Sequence, residues 1–181
     1  MKFEDCPDYL QEYLNYISTI KMRSELTVKN YYTDLRLFLR YLKLERLGSA
    51  EPFNEIKIVD VSEELVKTVT LNDILAFLSY TASERDNQSK ARARKAVSLR
   101  QFFKYLTIKK MWFEVSPAQN LELPTPKKAL PKHLTVEQAT ELLKTCSTLN
   151  SWEDYRDYCM ITFFLNCGMR LSELVKINVN D

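Results

Sequence analysis

The sequence predicts an all-α protein, and three observations support this fold class. Apolar residues recur at spacings of three and four along nearly the whole chain, which is the period of a helix with one buried face. Glycine, which serves the tight turns of β-hairpins, occurs only twice, at Gly48 and Gly168. Apolar residues make up 45% of the 181 residues, which favours a packed core over a disordered chain. We therefore expect a mostly helical protein with one large domain or two small ones.

Four helices are predicted before the most basic part of the chain, over residues 7–20, 24–46, 62–66 and 70–85. Pro7 suits the opening turn of the first helix, because its missing N–H has no partner there in any case. Ser24 is a favourable N-cap for the second helix. Gly48 and Pro52 predict an irregular connection after that helix.

A fifth helix is predicted over residues 88–110, and its charge is unusual. Residues 87–110 contain eight basic and no acidic side chains, whereas residues 51–84 contain seven acidic and two basic ones. The net charge of the chain is only +2, so the charges are segregated rather than in excess. Such a basic block is typical of a solvated face or of an anion-binding face, and the block alone does not separate these interpretations.

Residues 116–134 contain four of the six prolines and predict an extended linker, because proline at this density excludes helix. Beyond the linker we expect a helix over 135–146 capped by Thr135 and a longer helix over 152–167 ended by Gly168. A short last helix should start near Arg170. The predicted organisation is a helical domain at 1–115, a linker at 116–134 and a second part at 135–181.

One helical phrase occurs twice, 64 positions apart, as "LRLFLRYL" at 35–42 and "LRQFFKYL" at 99–106. On a helical wheel each copy has an apolar face, formed by Val28, Tyr31, Leu35, Phe38, Leu39 and Leu42 and by Ala96, Leu99, Phe103 and Leu106. A basic strip lies beside each face, formed by Lys29, Thr33, Arg36, Arg40 and Lys43 and by Lys90, Arg94, Arg100 and Lys104. Two such helices packed by their apolar faces would present both strips to one polyanion, although basic residues beside an apolar face also snorkel without any ligand.

Composition excludes several classes of protein. Two glycines are too few for a glycine-rich phosphate-binding loop. The four cysteines lack C-x-x-C spacing, and the single His133 gives them no partners for zinc, so we predict small apolar residues in a reducing cytoplasm and no metal. The charged N-terminal segment lacks the apolar stretch of a signal peptide, and the apolar run at 158–169 is too short to span a bilayer. We expect a cytoplasmic protein without a membrane anchor.

Four segments resemble parts of tyrosine recombinases, and they read SELTVKNYYTDLRLFLRYL, SKARARKAVSLRQFFKYL, SPAQNLELPTPKKALPKHLTVEQATELL and YRDYCMITFFLNCGMRLSELVKINVND. The first resembles the pattern S-x-x-T-x-x-x-Y-x-x-D-L-x-x-F that opens the family's DNA core-binding domain. The second resembles the last long helix of that domain, and the third resembles the linker. The fourth resembles the first catalytic box, with its signature G-[LM]-R-[LI]-S-E-L. Chromosome-dimer-resolving recombinases and phage or transposon integrases are the most similar subgroups.

The resemblance implies a four- to five-helix core-binding (SAM-like) bundle followed by a helical part of the catalytic domain. It implies duplex DNA as partner, self-association as a tetramer on DNA, and neither a cofactor nor a small-molecule substrate. Together with the basic strips it indicates DNA-binding residues at Thr27, Lys29, Arg36, Lys90, Arg94, Arg100 and Lys104. Arg170 matches the first of the family's two catalytic arginines, which stabilise the scissile phosphate, and Glu173 matches the acidic residue that holds the site together.

The family's other catalytic groups would follow Asp181. In this family a tyrosine attacks the scissile phosphate and forms a 3′-phosphotyrosyl intermediate, yet all ten tyrosines of this sequence precede Arg170. His133 lies upstream of that arginine and is interpreted as a solvated linker residue. We therefore expect these 181 residues to bind duplex DNA without cleaving it.

Three alternatives stay open, and one of them is an isolated folding fragment whose second part would expose the apolar surface of 158–167 and dimerise or pack against a neighbour. A helical protein-interaction module with a non-functional basic face would bind DNA weakly or not at all. A helix-turn-helix transcription regulator would prefer one short operator, and it would give no role to the linker or to the box around Arg170. Because roughly six phosphate contacts predict a log–log salt slope near −5, a salt titration separates the protein-interaction module from a recombinase.

Overall fold

The computed structural model of the protein describes residues 3–48, 51–83, 89–122, 132–148 and 150–178. Eight helices occur in these ranges: α1 (Asp8–Thr19), α2 (Glu25–Leu47), α3 (Glu63–Lys67), α4 (Leu71–Ser83), α5 (Ser89–Ile108), α6 (Val136–Thr145), α7 (Trp152–Cys167) and α8 (Leu171–Leu174). No strand is present in the described ranges. The all-α prediction is confirmed, and every predicted helix is found with ends that differ by a few residues.

The chain divides into two compact units, residues 1–128 and 129–181. The predicted linker begins at residue 116, but Ala118 and Leu121 are fully buried in the core of the first unit. Residues 116–121 form tight turns there, with Gln119 N–H donating to the carbonyl of Ser116 over 3.0 Å. The start of the predicted linker is therefore part of the first unit. Residues 123–131, which contain three of its prolines, lie outside the described residues.

The core of the first unit lies among α1, α2, α4 and α5. Phe38 of α2 contacts Phe77 of α4 and Phe103 of α5 edge to face, with ring centroids 5.3 and 5.9 Å apart. The ends of α2 follow the sequence prediction: the Ser24 hydroxyl accepts the N–H of Thr27 over 3.3 Å, and Gly48 ends the helix in a left-handed conformation at φ 64°. These contacts hold α2 at the centre of the bundle.

The two copies of the repeated phrase pack side by side and run in the same direction. The guanidinium of Arg94 donates to the carbonyl of Asn30, and the hydroxyl of Ser98 donates to the carboxylate of Asp34; both pairs are separated by 64 residues. Further along, Phe38 meets Phe103. The spatial register of α2 and α5 therefore equals the spacing of the repeat in the sequence, and the first turns of both helices lie at the same end of the pair.

The second unit contains α6, α7 and α8, and a capping box opens both α6 and α7. As predicted, Thr135 caps α6, and Gly168 ends α7 in a left-handed conformation at φ 60°. Leu174 is the one buried apolar residue among its described residues, whereas Trp152 and Val175 are largely exposed. Packing in this unit is correspondingly thin.

The cysteines follow the sequence prediction only in part. Cys6 is buried and unpaired, and burial together with the nearby Asp5 and Asp8 raises the pKa of its thiol to about 12. Cys159 and Cys167 are exposed, although the small apolar residues predicted at both positions are usually buried. Within the described residues no three potential metal ligands cluster, and no helix has the length and apolarity that crossing a membrane requires.

Candidate nucleic-acid interface

The first turns of α2 and α5 form the part of the first unit best suited to a polyanion. Because the two helices run in the same direction, their first backbone N–H groups and the positive ends of their dipoles point to the same side. Lys29 and Lys90 are exposed within these turns, and neither has an ion pair in the described part of the chain. Helix N-termini with adjacent lysines attract phosphate groups.

Asp34 fixes the α2–α5 contact, and the sequence analysis assigned it no role although it is the aspartate of the recombinase pattern. Its carboxylate is fully buried and accepts from the guanidinium of Arg94 over 2.7 Å and from the hydroxyl of Ser98 over 2.8 Å. The ammonium of Lys95 lies 3.9 Å from the second carboxylate oxygen. Burial raises the pKa of Asp34, and the Ser98 hydrogen bond and the two cations oppose that rise. One signal was available: Asp34 stands at the edge of an apolar face, where only a paired acid is tolerated.

Thr27 and Arg36 are each half-buried and contact neighbours on α2. The Thr27 hydroxyl lies 2.9 Å from that of Ser24, so it belongs to the capping turn. The Arg36 guanidinium lies over the Tyr32 ring, 5.3 Å from its centroid, as a cation–π contact. Arg36 stays a candidate for phosphate contact because its guanidinium forms no ion pair in the described residues, whereas the Thr27 hydroxyl is engaged with Ser24.

Some basic side chains of the α5 strip face solvent, and others bind groups within the protein. Lys104 is exposed, whereas the Arg100 guanidinium donates to the carbonyl of Leu121 and so holds the segment after α5. The Arg94 side chain is about two-fifths exposed although it is paired with Asp34. Arg94 can therefore present N–H groups outward while it is held in place, and Arg100 has mainly a structural contact.

Two members of the predicted α2 strip have internal roles, and the prediction for them is wrong. Arg40 is buried and donates from Nε to the carbonyl of Ile56 over 2.7 Å, with Asp5 3.9 Å from its guanidinium. The Lys43 ammonium binds both carboxylate oxygens of Asp60 at 2.8 and 2.7 Å. Both cations hold the segment at 56–60 against α2, because that segment supplies carbonyl and carboxylate acceptors beside them.

The basic strips of α2 and α5 do not form one continuous surface along the two helices. Asp34 faces α5, and Arg36 follows two positions later, which places it about 200° around α2 from that contact. Arg36 therefore lies on the flank of α2 turned away from α5, and Lys29, seven positions earlier, points to the same flank. The structure brings together the N-terminal turns of the two helices rather than two complete basic edges.

In the second unit the structure brings Arg170 and Glu173 together at the start of α8. One Glu173 carboxylate oxygen accepts the Arg170 backbone N–H over 2.8 Å, and the other accepts its guanidinium over 3.0 Å. The Arg170 side chain is 82% exposed. Glu173 thus orients an accessible guanidinium, and the remaining N–H groups of that guanidinium can bind phosphate oxygens.

Comparison with known families agrees with both units. The model of the phage integrase family matches residues 132–181, and the model of the N-terminal SAM-like domain of phage integrases matches residues 10–68. The first match contains Arg170 and Glu173, and the second contains all of α1 except its first two residues, all of α2, and α3. No solved structure matches the chain.

Several curated proteins are similar over nearly all of this chain. Tyrosine recombinase XerC of Caldanaerobacter subterraneus subsp. tengcongensis is 46% identical over 177 residues, which cover 97% of this chain and 49% of that protein. XerC of Herpetosiphon aurantiacus is 30% identical over 172 residues, or 95% and 50% of the two chains. A tyrosine recombinase of Pseudothermotoga lettingae is 29% identical over 172 residues, or 95% and 52%. The chain spans about half the length of these relatives.

Proposed function

Because this chain belongs to the phage integrase family of tyrosine recombinases, we propose that it is the part of a site-specific recombinase that grips duplex DNA. The first unit binds the sugar-phosphate backbone, and the second carries the first arginine of the catalytic site. The parent activity is DNA strand exchange through a phosphotyrosyl intermediate, without a metal or a nucleotide cofactor. Relatives named tyrosine recombinase support the reaction class.

The observation that carries the proposal is the parallel, in-register packing of α2 and α5. It places the N-terminal turns of both helices, with Lys29 and Lys90 exposed, at one end of the first unit. Arg94 lies one turn further along α5 and is held by Asp34. A guanidinium held in advance loses less side-chain freedom when it meets a phosphate, so Asp34 acts as a positioning residue.

Arg170 is the residue of the second unit that would stabilise the charge on the scissile phosphate. Negative charge grows on the scissile phosphate during strand transfer, and a bidentate guanidinium is the side chain that matches two phosphate oxygens. Glu173 holds the Arg170 backbone and guanidinium at once. We assign Arg170 to transition-state stabilisation and Glu173 to positioning. On DNA the family forms tetramers, and we propose the same assembly for the parent recombinase.

Salt-dependent binding tests the DNA-gripping role. Fluorescence anisotropy of a labelled duplex should show affinity that falls with salt along a log–log slope of about −4, because about four phosphate contacts are expected from the exposed cations. Lys29→Glu and Lys90→Glu should each weaken binding on all sequences and reduce the slope by about 1. Lys144→Glu in the second unit is the matched control. Absent or salt-insensitive binding would favour the protein-interaction alternative.

A nicked duplex tests whether these 181 residues cleave DNA. All ten tyrosines precede Arg170, so the sequence contains no candidate for the family's nucleophile in its usual order. We expect the protein to bind such a suicide substrate and to form no covalent adduct on a denaturing gel. A covalent protein–DNA band that disappears on replacing Tyr155 or Tyr158 would refute the assignment.

A further inference from the structure

A cleft of about 350 Å³ opens on the first unit, apart from the N-terminal turns of α2 and α5. The C-terminal half of α1, Tyr31 of α2 and the C-terminal half of α5 surround it. Tyr13 and Ile17 are buried at its floor, and three half-buried tyrosines, Tyr16, Tyr31 and Tyr105, form its walls. Of the DNA-binding residues predicted from the sequence, only Lys104 lines this cleft.

The rim of the cleft is strongly cationic. Lys21, Arg23, Lys104 and Lys109 are exposed around it, and no acidic residue lines it. None of the four has an ion pair in the described part of the chain. The Lys21 ammonium lies 5.9 Å from the centroid of the Tyr16 ring. Cations gathered over apolar walls strengthen the local field, so the cleft attracts an anion.

The floor of the cleft contains an unused hydrogen-bond donor. Tyr13 is only 1% exposed, and its hydroxyl has no hydrogen-bond partner in the described protein. Burial raises the pKa of Tyr13, and the nearby Tyr31 adds to this effect, so the phenol keeps its proton. Buried hydroxyls nearly always have a partner, and this one is a neutral donor beside four cations. The combination fits an anion whose oxygens accept hydrogen bonds.

Part of the rim of the cleft lies next to the proposed DNA interface. Lys21 and Arg23 lie in the short segment that joins α1 to Ser24, the N-cap of α2. The cationic rim is therefore continuous with the first turn of α2. The tyrosine walls provide apolar surface beside the charge, as expected for the sugar of a nucleotide rather than for an isolated inorganic ion.

We propose that this cleft holds one nucleotide phosphate, with the phosphate bound by Lys21, Arg23, Lys104 and the Tyr13 hydroxyl and the sugar packed against the tyrosine rings. Its source is a strand of the bound duplex, beyond the segment gripped by the N-terminal turns of α2 and α5. The assignment of the nucleotide to a DNA strand rests on the proposed function. A free nucleotide would present the same phosphate and sugar to the cleft. The experiment therefore examines DNA and a free nucleotide separately.

The first arm measures duplex binding over a range of salt concentrations. Lys21→Glu and Lys104→Glu should each weaken binding about tenfold and reduce the salt slope by about 1. Tyr13→Phe removes only the hydroxyl and should weaken binding about fivefold without loss of fold. The matched control is Lys57→Glu, an exposed lysine beside the start of α1, which lies about 8 Å along that helix from Tyr13, the first cleft residue.

The second arm titrates the intact chain with dAMP and with inorganic phosphate and follows backbone amide signals by NMR. Two results together would assign the cleft to a free nucleotide instead of a DNA strand. The shifts would be confined to residues that line the cleft and abolished by Lys104→Glu, and the variants would bind duplex DNA as the wild type does. Unchanged duplex binding without such shifts would overturn the proposal. If the wild type binds no duplex, the proposed function fails, and the dAMP titration still decides whether the cleft binds a nucleotide.

Discussion

At the scale of single residues, Asp34 determines how α2 and α5 fit together. It is a fully buried acid with two cations and one hydroxyl around it. Its energetic role is asymmetric, because a buried ion pair adds little net stability while the loss of one partner strands the other. The Arg94 side chain reaches solvent, but Lys95 is almost completely buried and depends on nearby acceptors.

We expect Asp34→Ala to reduce the free energy of unfolding by about 3 kcal/mol, because it leaves the buried Lys95 without its carboxylate. Urea denaturation followed by circular dichroism measures the loss. Asp34→Ala combined with Lys95→Met should recover most of it, since the second change removes the buried ammonium that faced the carboxylate. A loss below about 1 kcal/mol for the single variant would show that the carboxylate is not essential to the contact.

The sequence predicted the contacts of individual side chains less reliably than it predicted the helices. The helical wheel placed Arg40 in a basic strip, but the structure turns it inward to the carbonyl of Ile56. The position of residue 56 depends on how an irregular segment folds back, and helical periodicity carries no information on that. Arg170 and Glu173, by contrast, are three positions apart across a helix start, so local geometry alone brings them together.

At the scale of elements, the ends of helices were predicted well because their signals are local. Ser24 and Thr135 cap helices through their own hydroxyls, and Gly168 adopts the left-handed conformation that glycine favours. The start of α4 was not recognised as a capping site. There Asp73 accepts both the backbone N–H and the hydroxyl of Thr70 over 2.7 Å. Arg46 of α2 donates to the same carboxylate over 2.7 Å, so this cap also joins two helices.

We expect Asp73→Asn to lower the free energy of unfolding by about 1 kcal/mol at neutral pH. Burial raises the pKa of Asp73, but hydrogen bonds from Arg46 and Thr70 outweigh that effect and hold it below the usual value. The contribution of a carboxyl whose pKa is lowered on folding is complete above its unfolded pKa, and it fades as pH falls through the lowered value. Urea denaturation at several pH values should therefore show the two proteins converging below about pH 4.

Asp60→Asn is the matched control for this prediction. Asp60 also pairs with a cation of α2, Lys43, but its side chain is 62% exposed and it caps no helix. An exposed pair contributes little, so its replacement should change stability by less than about 0.5 kcal/mol. Equal losses for the two variants would show that the Asp73 cap adds nothing beyond an ion pair.

At the scale of the whole molecule, the two units differ in how much core they have. Leu10, Phe38 and Phe102 are fully buried in the first unit, whereas α6 and α7 contain no buried residue. Composition predicted a buried core, but the apolar run at 158–167 allowed both a buried helix and an exposed apolar surface, and in the structure α7 has no buried residue. Burial depends on partners, and the sequence of a single helix does not reveal them.

We expect hydrogen exchange of the intact chain to separate the two units. Amides of α1, α2 and α5 should exchange only through global unfolding, because fully buried side chains surround them. Amides of α6 and α7 should exchange at least about a hundredfold faster through local opening. Mass spectrometry of pulse-labelled peptides measures both. Equal protection of α5 and α7 would contradict this difference.

The matched spacing of the repeated phrase has a consequence for evolution. Since α2 and α5 align by their own side chains, with Asp34 between them, the distance between their starts is set by packing and not by the connecting segment. A change in the length of that segment therefore leaves the separation of the two helix starts unaltered, provided that the buried Ile56 and Ile58 keep their places in the core. A residue added inside either copy, by contrast, turns the residues after it by about 100° and so breaks their register with the other helix.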